Sequence, residues 1–169
     1  AYPGMRPLPP AATVIYEEIR DLPIVSPHGH CDPVWWAEDT RFPDPAALLI
    51  QPDHYVFRML VSQGVKMADL GMPRLDGGAV ETDPRAIWRR FAAHYHLFRG
   101  TPSAMWVDHS FEHVFGIDEV LRPESADAIY DQIEAQLADD AFRPRALFER
   151  FKIAVLATTD GALDDLRWH

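Results

Sequence analysis

Two histidines separated by one residue, His28 and His30, stand at the end of a short apolar run, Ile24-Val25-Ser26-Pro27. Imidazole nitrogens are common ligands of divalent metals. On an extended strand residues i and i+2 point to the same face, so both rings could reach one cation. Pro27 and Gly29 flank His28, so the strand is ending there. Histidines at the C-terminal end of a strand lie where barrel enzymes carry out their chemistry. The alternative is a pair of hydrogen-bonded surface imidazoles, since 8 histidines in one chain produce such pairs by chance. A second pair, His94 and His96, lies within a helical pattern over 84–98. There residues two apart point about 200° away from each other, and the pair is rejected as a metal site. Cys31 is a conceivable soft ligand, but on a strand end it faces away from His28 and His30.

The elements that must position these residues follow from patterning. Residues 1–10 are proline-rich and read as irregular surface chain. Residues 11–20 read as a helix with Val14, Ile15 and Ile19 on one side. Residues 22–25 form the strand that leads to the histidines, and 31–43, with Trp35 and Trp36, read as irregular. Asp44-Pro45 opens a short helix through Ile50. Asp53 caps another that runs to about Gln63, with Gly64 as its stop. Glycines and prolines make 71–83 a loop. Asp83-Pro84 opens a helix of about four turns with Ile87, Trp88, Phe91, Tyr95 and Phe98 on one face. Thr101-Pro102 opens the next, with Trp106, Phe111 and Phe115 inside and Gly116 as its C-cap. Residues 125–137 and 144–150 are helical. Residues 153–157 form a buried-type strand followed by Thr158-Thr159-Asp160.

One strand, a long helical stretch and one more strand make an unusual layout. Two strands alone are not a stable sheet. Both are apolar enough to be covered on both faces, as in parallel α/β sheets. They are expected to be neighbours in a larger parallel sheet, interrupted by a helical insertion, in the N-terminal part of a longer protein. The expected divisions are 1–30 (N-terminal segment and first strand), 31–150 (insertion) and 151–169 (second strand and loop).

Composition narrows the function classes. Hydrophobic content of 47% and charged content of 25% over 169 residues are globular values. No apolar stretch approaches the length of a transmembrane helix, and the N-terminus lacks a signal-peptide core. A single cysteine points to a reducing, cytoplasmic compartment. A net charge of -10 argues against binding nucleic acid or anionic lipid. A small anionic substrate would need local cations, either a metal or specific arginines.

Several ordered motifs resemble the uronate isomerase (glucuronate isomerase) family of the amidohydrolase superfamily. They are Ser26-Pro27-His28-Gly29-His30-Cys31-Asp32-Pro33, residues 52–60 beginning Pro52-Asp53-His54-Tyr55, and residues 94–103 ending Gly100-Thr101-Pro102-Ser103. Phe115-Gly116-Ile117 and Leu156-Ala157-Thr158-Thr159-Asp160 follow. The resemblance spans about residues 10–169. It implies an α/β fold, the N-terminal portion of a (β/α)8 barrel with a large helical insertion after the first strand, so that this segment is itself mostly helical. It implies interconversion of D-glucuronate with D-fructuronate and of D-galacturonate with D-tagaturonate. By resemblance His28 and His30 are metal ligands, with zinc the usual divalent metal. His54 and Tyr55 line the substrate pocket, and Tyr55 is the proton shuttle between the sugar's C1 and C2 oxygens.

The family's catalytic aspartate, which is also its third metal ligand, comes from the last barrel strand. Neither that residue nor its substrate arginines can be assigned in this chain, and Asp160 is not that aspartate. Catalytic zinc usually has three protein ligands, so two histidines are an incomplete set. Without the resemblance, His54 and Tyr55 would read as packing at a helix start. Arg58, one turn later, reads equally as an anion contact or a solvated, carboxylate-paired arginine. Two other readings compete. One is a metal-dependent hydrolase of the same superfamily, and the other is an inactive fragment or interaction module. The helical insertion is also a possible homo-oligomer interface.

Overall fold

The computed structural model describes residues 9–169. The expectation of irregular chain at 1–10 therefore lies almost wholly outside the described residues. Its end differs from expectation, because Pro10 already opens the first helix, α1 (Pro10–Ile19). Proline suits that first turn, where its missing N–H would have had no partner. The apolar side predicted for α1 is exposed at Val14, Ile15 and Ile19.

The first strand, β1 (Ile24–Ser26), begins later than predicted. It pairs in parallel with β2 (Ile153–Leu156). Ile24 lies opposite Ile153, Val25 opposite Val155 and Ser26 opposite Leu156, with an irregularity between Ile24 and Val25. The Ala157 N–H extends the ladder by donating to the Ser26 carbonyl at 2.9 Å. Two strands distant in sequence are thus direct neighbours, as the patterning required. They are not covered on both faces, however. Val25 is 65% and Val155 53% exposed, because nothing among the described residues lies across them.

Between the strands the chain is helical. A short helix, α2 (Val34–Glu38), stands where irregular chain was expected. Asp32 starts it by accepting from the Val34 N–H at 3.0 Å. Its C-terminal end is closed from far away: the Arg145 guanidinium donates to the carbonyls of Trp36 at 2.7 Å and Ala37 at 2.9 Å. Helices α3 (Pro45–Leu49) and α4 (His54–Ser62) begin at the predicted caps. Asp44 accepts from Ala47 N–H at 2.8 Å, and Asp53 accepts from Tyr55 N–H at 2.7 Å.

The helix expected over 84–98 is α5 (Pro84–His94), which tightens into a 3-10 turn at Tyr95–Phe98. Helix α6 (Pro102–His109) widens into a π-helical turn over Ser110–Val114. Helices α7 (Ala126–Leu137) and α8 (Pro144–Arg150) lead to β2.

The core lies entirely in this insertion, from Ala46 to Phe142. Trp88 of α5 is fully buried, and its indole N–H donates to the Ala126 carbonyl at the start of α7 at 2.8 Å. Phe91, Phe98, Ile129, Tyr130 and Ile133 pack the same interior. Arg85 of α5 spans the outside of that contact, 2.5 Å from the Asp131 carboxylate and 4.1 Å over the Tyr130 ring. Among the described residues no helix is long and apolar enough to cross a membrane.

Candidate metal and substrate site

β1 stops at Ser26, so His28 and His30 sit on the loop beyond it rather than on the strand. The loop is pinned at two points. The Ser26 hydroxyl donates to the His28 carbonyl at 3.0 Å. Gly29 runs hard against the end of β2, where a Cβ would stand 2.8 Å from the Ala157 carbonyl oxygen. Only a residue without a side chain permits that approach.

The two imidazoles converge. Their Nε2 atoms are 2.9 Å apart, and the rings meet edge to face with centroids 4.8 Å apart. Two nitrogens each about 2.0–2.1 Å from one zinc ion stand about 2.9 Å apart at a ligand angle near 90° and about 3.3 Å at the tetrahedral angle. The pair therefore fits two ligands of one cation. Without a cation the same distance is a ring-to-ring hydrogen bond between unlike tautomers. Among the described residues no group of three His, Cys, Asp or Glu side chains gathers as a metal site, so the pair is a partial donor set.

Cys31 corrects an expectation. It lines the same cavity as His28 and His30, because strand alternation does not extend past Ser26. Burial pushes its thiol pKa up, so it is a protonated thiol at neutral pH.

His54 and Tyr55 open α4 beside the pair. The His54 ring stacks on His30 at 5.3 Å, and Tyr55 lies 4.1 Å from His54. The Asp53 carboxylate fixes this turn by accepting from the backbone N–H groups of Tyr55 and Val56. The four rings form a continuous row, His28–His30–His54–Tyr55. His28, His30 and Tyr55 line a cavity of about 460 Å³, whereas His54, expected in the pocket wall, is not among its lining residues and touches the site through its neighbours' rings. Tyr55 lines that cavity and is 59% exposed.

Two tryptophans complete the wall. Trp35 faces this cavity, whereas its neighbour Trp36 faces a separate one beside β2. Trp106, expected in the insertion core, is only half-buried and lines the histidine cavity. Nothing in the α6 pattern separates that wall position from the core positions around it. Arg58 is exposed and does not line the cavity. Among the lining residues there is no arginine or lysine, and the single carboxylate, Asp53, is engaged as a helix cap. His94 is likewise engaged, its Nδ1 2.7 Å from the Arg90 carbonyl, while His96 is exposed. Asp160, past β2, accepts from Thr158 at 2.5 Å and pairs with His169 at 3.2 Å.

A family model described as glucuronate isomerase matches residues 9–169. A uronate isomerase of Mesorhizobium japonicum is 64% identical over 155 residues, covering 92% of this chain and 33% of its own length. One from Brucella suis biovar 1 is 49% identical over all 169 residues and is covered to 36%. Among solved structures, glucuronate isomerase from Caulobacter crescentus matches with a TM-score of 0.88 and 51% identity, over 96% of this chain and 34% of that one. Uronate isomerase from Thermotoga maritima gives 0.79 and 26% identity, over 94% and 33%. The chain spans about a third of the length of the curated relatives it matches.

Proposed function

The chain belongs to the glucuronate isomerase family, and on that premise we propose that it supplies the first metal ligands and the proton shuttle of an enzyme that isomerises hexuronates. The substrates are D-glucuronate and D-galacturonate, interconverted with D-fructuronate and D-tagaturonate. The observation that carries this reading is the convergence of the His28 and His30 Nε2 atoms at 2.9 Å in a cavity that Tyr55 also lines, with His54 packed between the His30 and Tyr55 rings.

In the proposed architecture β1 and β2 are the first strands of a (β/α)8 barrel of the amidohydrolase type, and residues 31–150 are the helical insertion. The parallel pairing of β1 with β2 and their uncovered apolar faces support it. The site then lies at the C-terminal ends of the strands, where barrel enzymes place their chemistry. A reducing cytoplasm suits a chain whose one cysteine is free.

His28 and His30 would hold a divalent cation, zinc by preference, through Nε2. Such a cation, when bound, polarises the sugar oxygens and lowers the pKa of its hydroxyls. His54 fills the space between His30 and Tyr55 and orients both rings toward the sugar. Isomerisation of the open-chain aldose takes the C2 proton to a base as the C1=C2 bond forms. The Tyr55 hydroxyl gives its proton to O1, and the product is an enediol. Tyr55 then recovers the O2 proton as C2 becomes the carbonyl, and the base returns its proton to C1. The tyrosine ends as it began, which suits a shuttle between two oxygens and leaves the C2 proton to a separate base. The base and the cations for the substrate carboxylate come from outside the residues lining this cavity.

The test is the full-length protein carrying Tyr55→Phe. The expected outcome is a kcat lowered by about 10²–10⁴-fold, the usual worth of a positioned proton-transfer group, with KM little changed. Unchanged turnover removes the role from Tyr55. The hydrolase reading draws no support from the named relatives.

A further inference from the structure

From the geometry around His28 we infer that Thr159 is a positioning residue: its hydroxyl holds the His28 ring by Nδ1 and so presents Nε2 to the cation. This rests on the reading of His28 as a metal ligand. The Thr159 Oγ1 lies 3.3 Å from His28 Nδ1, a contact spanning 131 residues of sequence. It adds a side-chain contact between the end of β2 and the loop that follows β1, beside the backbone approach of Gly29 to Ala157. A histidine that binds metal through one nitrogen almost always gives its other N–H to an acceptor, which fixes both tautomer and ring orientation. A threonine hydroxyl can accept that proton. With Nδ1–H donated to Thr159, the His28 Nε2 carries the free lone pair, and in the cation's absence His30 Nε2–H is its donor at 2.9 Å.

The backbone holds Thr159 at this distance. Ala157 N–H donates to the Ser26 carbonyl at 2.9 Å, and Gly29 rests on the Ala157 carbonyl, so the two strand ends advance in register. The two adjacent threonines divide the work. Thr158 lines the separate cavity beside Trp36 and Trp168, and its hydroxyl is taken by Asp160 at 2.5 Å and His169 at 2.9 Å. Thr159 faces the other way, toward His28. Nothing in the Thr158-Thr159 dipeptide alone distinguishes one role from the other.

The experiment compares zinc affinity, by chelator competition, and the visible spectrum of the cobalt-substituted full-length protein across four variants. Thr159→Val removes the hydroxyl and keeps the shape. It should weaken zinc binding by about 10–100-fold, the usual effect of losing such a partner, and alter the cobalt spectrum. Thr159→Ser restores the hydroxyl and should restore both readouts. Thr158→Val, on the opposite side of the strand end, should leave both unchanged. Wild-type affinity and spectrum in Thr159→Val overturn the inference, as does an equal loss in Thr158→Val, which would mark a general disturbance of the strand end. Should Thr159→Val fail to fold, Thr159→Ala removes the same hydroxyl and is read in the same way. The fourth variant, His28→Ala/His30→Ala, separates the two levels. Full zinc affinity there overturns the ligand reading itself. Loss there with an intact Thr159→Val overturns only the role of Thr159.

Discussion

At the scale of residues, His28 and His30 converge for a reason different from the one their spacing suggests. Strand alternation would bring i and i+2 to one face, but β1 ends two residues before His28. The convergence comes from a loop stapled by the Ser26 hydroxyl and pressed onto Ala157 through Gly29. The same difference explains why Cys31 shares the cavity instead of facing away. Gly29→Ala should therefore act on both fold and site. Its Cβ would collide with a backbone oxygen, which cannot rotate away, and overpacking of this kind costs about 1–3 kcal/mol. The expected result is a lower thermal midpoint together with weaker zinc binding by chelator competition. An unperturbed Gly29→Ala would refute the close approach. His54 and Tyr55 were candidates for the site only through the family resemblance, because a polar pair at a helix start is ordinarily packing.

At the scale of elements, the longer helices with local caps were legible, and a short helix held partly by a distant side chain was not. Asp44, Asp53, Asp83 and Thr101 cap the helices they were expected to cap. Helix α2 was missed although Asp32 starts it locally, because it is only five residues long and its last carbonyls are taken by Arg145, more than 100 residues away. The α5 helix ends at His94 although its apolar face runs on, because the 3-10 turn still delivers Tyr95 and Phe98 to the core. There Tyr95 O–H donates to Asp108 of α6 at 2.6 Å. The insertion depends on the α5–α7 contact around Trp88. Trp88→Ala leaves a large cavity and removes the indole's bond to the Ala126 carbonyl, so a loss of about 3–5 kcal/mol is expected. Denaturant unfolding followed by circular dichroism measures it. A loss below about 1 kcal/mol would mean that the contact is not central.

At the scale of the molecule, a dense helical core stands beside a two-stranded sheet with open faces. The layout of two parallel strands around an insertion was legible because apolar runs and helix caps are local signals. What covers the strands was not, because no described residue lies across Val25 and Val155.

The surface charge sets the pH response. Asp76 is lowered from its usual 3.8 to about 2 by Arg74 and the Gly78 N–H. Asp127 and Asp140 are lowered by Arg89 and Arg143, and Glu81 by the Asp83 N–H and Arg90. A depressed folded-state pKa gives stability that is present above the unfolded value and lost as pH falls through the folded one. Stability should fall below about pH 4, and less steeply in high salt because these carboxylates are exposed and screened. On the alkaline side burial, followed by Asp44 and Glu134, pushes Tyr130 from 10.0 up to about 12. That stabilisation is whole below pH 10 and is lost as pH rises toward 12. Phenolate absorbance followed together with circular dichroism should show Tyr130 ionising only as the insertion unfolds. Ionisation near pH 10 in folded protein would contradict its burial.

The central claim is that this chain carries the first ligands and the proton shuttle of a hexuronate isomerase. The most direct measurement is ketose formation from D-glucuronate by the full-length, zinc-loaded protein, followed by NMR and repeated with His28→Ala/His30→Ala. The account predicts conversion by the wild type, and loss of both bound zinc and conversion in the double variant. A folded, zinc-loaded wild type that forms no ketose, or a double variant with wild-type turnover, would contradict it.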